Sequence, residues 1–336
     1  MSAESPTQAL RRLVNGYQVT QAIHVAATLG IADLLRDGPR SSDELAAATE
    51  SHARSLHRVL RALASVGVLH EGGDGRFALT ELGEGLRSDA AEPVGGWAAY
   101  VGTPAHFRAW GALLHGVRSG ENAFQWVHGA DVWEYRAAHP DQGAIFDRAM
   151  TDTSRRANRQ LIEAYDFGRF DRVVDVGGGH GALLAGVLAA HPALRGVLFD
   201  QPHVVADAAR VLDAAGVSDR CEVVGGSFFD AVPAGGDAYV LKAIVHDWED
   251  EEALRILRAV RAAAAEGTVA LVVERELGAP NENPDAKLSD LNMMVGPGGR
   301  ERTRDELAAL FEAAGFALER VVPTAVGLNV FEASAR

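Results

Sequence analysis

Cysteine and lysine are nearly missing from this chain. Its 336 residues include one cysteine, Cys221, and two lysines, Lys242 and Lys287. A single thiol excludes an intrachain disulfide and a cysteine metal cluster, and it fits a reducing cytoplasm. Positive charge is also short. Thirty-two Lys and Arg face 46 Asp and Glu, a formal net charge of −14. A surface of that sign repels nucleic acid and anionic lipid, so partners should be small and neutral or cationic. No apolar run approaches the ~20 residues of a membrane span. The polar start MSAESPTQALRR lacks the apolar core of a signal peptide. These absences predict a cytoplasmic protein with neither a membrane nor a nucleic acid as partner. Apolar residues, by contrast, make up 47% of the chain, enough for a sizeable core. The length suggests two domains, or one domain with a large extension.

The first hundred residues read as helices with short breaks. GYQVTQAIHVAATLGIADLL carries Val19, Ile23, Ala26, Ala27 and Leu34 near helical spacing, interrupted at Gly30. Two further helices follow. One starts near Ser42, and the next is striped by Leu56, Val59, Leu60 and Leu63 and stops at Gly67. GGDGRFALT then makes a glycine turn into a strand, completing a winged-helix outline. That outline raises a DNA-binding reading, with Arg54, Arg58 and Arg61 on the second helix. Yet residues 41–87 hold seven acids against five arginines, and a DNA-reading face must be positive. The apolar residues before position 35 suit a dimer interface instead. Residues 97–165 read as helical and rich in aromatic side chains, some of which could line a pocket for a flat ligand.

From about residue 168, β-branched runs (DRVVDV, RGVLFD, CEVVGG, DAYVL, TVALVVE) alternate with helical stretches. This pattern predicts a parallel sheet with right-handed crossovers. Two closing runs, ALERVVP and LNVFEASA, lie too close in sequence to be parallel and predict an antiparallel final pair. In VVDVGGGHGALL the glycines sit between a strand and a helix. There the backbone turns tightly and amides can face a ligand. Gly177, Gly179 and Ala182 satisfy a loose GxGxxG/A pattern. Asp200 ends the next strand and could accept hydrogen bonds from ribose hydroxyls. Asp175, just before the glycines, suits an amino group better than a phosphate. An adenosine carrying a cation, as in S-adenosylmethionine, therefore fits better than a dinucleotide.

LKAIVHDWEDEE, residues 241–252, leads from a buried strand into a burst of acid. Taken alone, His246 there is either a base at a strand end or a residue on the way into a helix that Asp247 caps. The set DVGGGHG, LFDQPHVV, LKAIVHDWEDEE and GPGGRERTRDEL, in this order after a winged-helix-like start, resembles the plant caffeic acid and bacterial polyketide O-methyltransferases. The resemblance covers nearly the whole chain. It implies an α/β fold: an N-terminal winged-helix dimerisation domain (1–96), a helical connector contributing to a substrate pocket (97–165) and a Rossmann-like methyltransferase domain (166–336). The sheet would have seven strands, the last antiparallel, and the protein would be a homodimer needing S-adenosylmethionine and no metal.

The same resemblance assigns residues. His246 would be the general base, flanked by Glu274 and Glu301. Gly177, Gly179, Asp200, Ser227, Phe228 and Lys242 would hold the cofactor. Asp247, Met150 and Met294 would meet the substrate, a hydroxylated aromatic or polyketide-like molecule. Ser227 departs from the pattern, which usually has an acid there; Asp230 could compensate. An imidazole with an ordinary pKa of ~6.5 would be mostly neutral at pH 7 and able to take a phenol's proton. A carboxylate on its far nitrogen would fix its tautomer. For Glu301, between Arg300, Arg302 and Arg304, the bland reading is a solvated charge. Two alternatives remain at this point: a relative that performs hydroxylation or cyclisation, and a winged-helix regulator that senses a metabolite.

Overall fold

Short β-branched runs, most of them followed by a helix, produce the sheet on which the candidate site is built. The structure, a computed structural model, describes residues 4–336. They divide into two compact units, one formed by residues up to 112 with 127–154, the other by 113–126 with 155–336.

In the first unit the winged-helix outline is realised. Helix Ser42–Ala48 starts at Ser41, whose side chain accepts from the Glu44 N–H while Glu44 reaches back to the Ser41 N–H. This reciprocal cap meets two donors that a helix start leaves unpaired. Helix Ala53–Ser65 follows. Its Leu56, Leu60 and Leu63 are buried together with Leu45 and Phe77. Strands β1 (Arg40–Ser41), β2 (Leu69–Glu71) and β3 (Arg76–Leu79) form a three-stranded sheet in the order β1-β3-β2. The earlier helices Pro6–Val14 and Gly16–Thr28 behave differently. Leu10, Leu13, Val14, Tyr17 and Val19 are exposed, so part of the apolar surface ahead of position 35 lies in the open.

The second unit carries seven strands: β4 (Arg172–Val176), β5 (Arg195–Asp200), β6 (Cys221–Gly225), β7 (Ala238–Lys242), β8 (Val269–Arg275), β9 (Phe316–Pro323) and β10 (Leu328–Ala335). Their order is β6-β5-β4-β7-β8-β10-β9. Pairs from β6 through β8 are parallel. The last strand, β10, inserts between β8 and β9 and is antiparallel to both, as the short β9–β10 connection demands. Continuous burial along β4, β5, β7 and β8 is the mark of parallel strands covered on both faces. One apolar cluster holds Val174, Tyr239, Val272, Phe311 and Phe331. The other holds Val173, Leu184, Leu198, Val240 and Leu271. Alternate side chains thus feed opposite faces.

With five parallel strands, the loops at their carboxyl ends gather at one edge of the sheet, where α/β proteins bind ligands. Phe331, fully buried on β10, anchors the antiparallel insertion. Phe331→Ala should lower the unfolding free energy by about 3–5 kcal/mol through the cavity it leaves. The denaturant midpoint should fall at an unchanged slope. A loss under about 1 kcal/mol would show that this strand does not depend on Phe331.

Candidate active site

The loop after β4 is shaped for a ligand by its glycines. Gly177 and Gly179 have φ of +70° and +60°, a region side chains rarely adopt. Gly177 is also pressed from outside, because a Cβ there would lie 2.4 Å from Ile244 Cδ1 and 3.7 Å from Phe228 Cε1. A Cβ on Gly179 would meet nothing within 4 Å, so the backbone there faces open space. Asp200 ends β5, and its Oδ2 accepts from the Gly179 N–H at 2.8 Å while Oδ1 accepts from the Gln201 N–H at 2.7 Å. Each carboxylate oxygen keeps a second lone pair for a hydroxyl. Burial raises the Asp200 carboxyl above its ordinary value.

Asp175 is only 2% exposed and backs the loop, its Oδ2 2.7 Å from where a Gly178 Cβ would be. Burial pushes its carboxyl up to about 7, against the charge of Lys242. Burial also lowers Lys242, with Asp175 opposing. Asp175 Oδ2 is buried without a hydrogen-bond partner, an arrangement suited to a polar or cationic ligand group. An open-faced glycine turn, an acid with spare acceptors and an orphaned carboxylate oxygen together fit an adenosine-bearing cation.

Strand β7 delivers the second part of the site. Directly after Lys242 the chain turns at Ala243, a non-glycine residue at φ +55°. Such strain persists only where neighbours impose it; here the Ala243 N–H donates to Val273 O at 3.1 Å. A 3₁₀ turn, Val245–Asp247, then presents His246. The His246 backbone N–H donates to Glu274 Oε1 at 2.9 Å, and its Nδ1 lies 3.1 Å from Glu301 Oε1. Asp247 Oδ1 is 3.7 Å from the other ring nitrogen, Nε2. The two glutamates therefore do different things. Glu274 fixes the turn, and Glu301 fixes the ring. Asp247 does not cap the next helix; the N-cap of Asp250–Ala263 is Glu249, with no side-chain cap bond.

Glu301 is fully buried and Arg302 is 1% exposed, so neither is the solvated charge that the surrounding arginines suggest. Two features hold them there. Gly299 lies so close to the His246 turn that a Cβ would be 2.2 Å from His246 O and 2.3 Å from Trp248 N. Only a residue without a side chain lets the loop approach this far. Arg302 then ties the two segments together. Its Nη1 donates to Val245 O at 3.0 Å, its Nη2 to Trp248 O at 2.8 Å, and its Nε and Nη2 to Asp250 Oδ1 at 2.9 and 2.8 Å. Glu301 itself is met by Ser289 Oγ on Oε1 at 2.7 Å, and its N–H donates to Asp290 Oδ1 at 2.9 Å.

The surroundings of His246 favour its protonated form over the neutral one expected of an ordinary imidazole. Burial works to lower the His246 pKa, but the Glu301 hydrogen bond and the charges of Asp247, Glu274 and Glu301 outweigh it and push it up to about 10. Glu301 is held below its ordinary value: burial raises it, but His246 and Ser289 prevail. Burial pushes Glu274 up to about 7, with His246 opposing. The carboxylates thus favour the charged form of His246, facing Glu301.

Of the remaining expected residues, Ser227 accepts from the Phe229 N–H at 3.2 Å, and Asp230 is exposed. Phe228 packs edge-on to Phe229 and Trp248, at 5.0 and 6.1 Å. Met294 is half-buried on helix Pro284–Val295. Its carbonyl accepts from Asn122 Nδ2 at 3.2 Å. Met150 is half-buried in helix Pro140–Ala164 and belongs to the first unit. Sequence reasoning passed over Ser289, Asp290, Trp248, Phe229 and the roles of Gly299 and Arg302. Of these, only the paired glycines before Glu301 carry a signal, since adjacent glycines ahead of a helix suggest a close backbone approach.

Comparison with known proteins gives the family. An O-methyltransferase domain matches residues 110–317, and an O-methyltransferase dimerisation domain matches residues 11–89. A phenazine O-methyltransferase of Lysobacter antibioticus is 44% identical, over 96% of this chain and 95% of that protein. The mitomycin biosynthesis 6-O-methyltransferase of Streptomyces lavendulae is 40% identical, over 94% and 90%. The solved structure of an O-methyltransferase from neocarzinostatin biosynthesis, in complex with S-adenosylmethionine and 2-hydroxy-5-methyl naphthoic acid, superposes with a TM-score of 0.84 at 36% identity, covering 100% of both chains. With the methyltransferase domain spanning more than half of its length and a dimerisation domain ahead of it, this chain belongs to the O-methyltransferase family.

Proposed function

We propose that this protein transfers a methyl group from S-adenosylmethionine to a hydroxyl of an aromatic or polyketide-like small molecule of secondary metabolism. The observation that carries the reading is the buried contact between His246 Nδ1 and Glu301 Oε1, two residues along from Ile244, which presses on the glycine loop. The relatives' phenazine and naphthoic acid support a flat aromatic acceptor. The matched dimerisation domain supports a homodimer. So do the exposed Leu10, Leu13 and Val14 of the first helix, since apolar patches of this kind mark association surfaces.

In this reading Gly177 and Gly179 offer the cofactor an approachable backbone, and Asp200 accepts from its ribose hydroxyls. Phe228 covers its ring, while Ser227 and Lys242 border the adenine side. When bound, the cofactor supplies a methyl carbon made electrophilic by its sulfonium. His246 Nε2 faces the acceptor hydroxyl, and Glu301 keeps the ring oriented through Nδ1. Glu274 holds the backbone of the turn. Asp247 and Met294 contact the acceptor.

The raised proton affinity of His246 changes what kind of base it is. A phenol titrates near ~10, about where His246 does. The two groups share one proton on nearly equal terms, so transfer from oxygen to Nε2 costs little. Below pH 10 the free enzyme holds one proton too many. For a phenolic acceptor, kcat/KM should therefore rise about tenfold per pH unit between about pH 7 and 9 and level off near 10. A flat profile across that range would remove His246 from the proton transfer.

Substitutions separate binding from chemistry. His246→Ala should cut turnover of a phenol panel by about 10²–10⁴-fold while leaving cofactor affinity, read by calorimetry, intact. Asp200→Ala should weaken cofactor binding instead. Full turnover by the histidine variant, followed with methyl-labelled cofactor, would exclude the base assignment.

A further inference from the structure

We propose that Ser289 is a positioning residue for this reaction: its hydroxyl holds Glu301 Oε1 and thereby sets how tightly His246 keeps its proton. This rests on the reading of His246 as base and adds a residue that acts on it through Glu301.

One oxygen of Glu301 serves both partners. Glu301 Oε1 lies 3.1 Å from His246 Nδ1 and accepts the Ser289 hydroxyl at 2.7 Å. The other oxygen, Oε2, is buried and has no hydrogen-bond partner. Ser289 and the imidazole therefore compete for the same charge. A donor on a carboxylate stabilises its anionic form and leaves it a weaker acceptor for the next donor. The hydroxyl loosens the grip of Glu301 on the imidazolium proton and keeps the base within reach of the acceptor.

Ser289 is also unusual in its position. It sits inside helix Pro284–Val295, where serine is a poorer helix former than alanine and tends to bond back to its own backbone. Here the side chain bonds across to Glu301. Its neighbour Asp290 holds the Glu301 backbone N–H. Gly299 is seated on the His246 turn, and Arg302 ties the loop to Val245 and Trp248. The loop is thus fixed without Ser289, so losing the hydroxyl changes the charge on Oε1 and leaves the loop in place. The other groups facing the pair are Asp247 and Glu274 on the histidine, and Arg275 on Glu301; all remain in the variant.

The test is a pH titration in two readouts on the full-length enzyme. In Ser289→Ala, the imidazole of His246, followed by NMR and assigned with His246→Asn, should titrate about 0.5–1 pH unit higher than in the wild type. The acid limb of kcat/KM should move up by the same amount. At a fixed pH below the limb this reads as a loss of roughly three- to tenfold, with the high-pH plateau retained. Ser289→Thr, which keeps the hydroxyl, should restore both. An unmoved imidazole titration in Ser289→Ala would overturn the proposal whatever the activity does. A moved imidazole titration with an unmoved rate profile would uphold the effect of Ser289 on His246 and instead refute His246 as the base.

Discussion

The site depends on one buried contact, Glu301 Oε1 to His246 Nδ1. A carboxylate taken out of water costs several kcal/mol unless it is paired and hydrogen-bonded. Here the pairing is assembled from four stretches of chain: the turn after β7, the end of β8, helix Pro284–Val295 and the loop that follows it. Each neighbouring feature answers a demand of that contact. Gly299 removes a side chain that would hold the loop away. Arg302 satisfies the carbonyls of the His246 turn with a rigid fork that a lysine could not reproduce. Ser289 and Asp290 each take one atom of Glu301.

Much of this arrangement was legible in the sequence. The seven strands were marked by β-branched runs, and the antiparallel end by the short gap between the last two. The glycine loop and Asp200 could be read as a ligand-binding end because strand, glycines, helix, strand and acid came in order. His246, Glu274 and Glu301 came from family resemblance, since 28 and 55 residues of separation carry no local pattern that joins them.

What was not legible is mostly burial and its consequences. Glu301 and Arg302 stand in a run of arginines that reads as a solvated face, yet both are buried. The cause is long-range: the loop is drawn down onto the His246 turn, and periodicity cannot report that. The raised proton affinity of His246 is hidden for the same reason. An unperturbed imidazole is neutral at pH 7, and only the three carboxylates gathered around this one reverse that. Ser289 in a helix looks like any polar residue until its partner is known.

The charges of the cluster can be followed one step further. Glu274 and Glu301 both keep a buried oxygen without a hydrogen-bond partner, and two full negative charges side by side in such a place would repel strongly. The structure resolves this by making the two unequal. Glu301, bonded to the imidazole, is held below its ordinary value, while burial pushes Glu274 up to about 7. The two carboxylates thus divide the work: Glu301 pairs with the ring, and Glu274 holds the backbone of the turn.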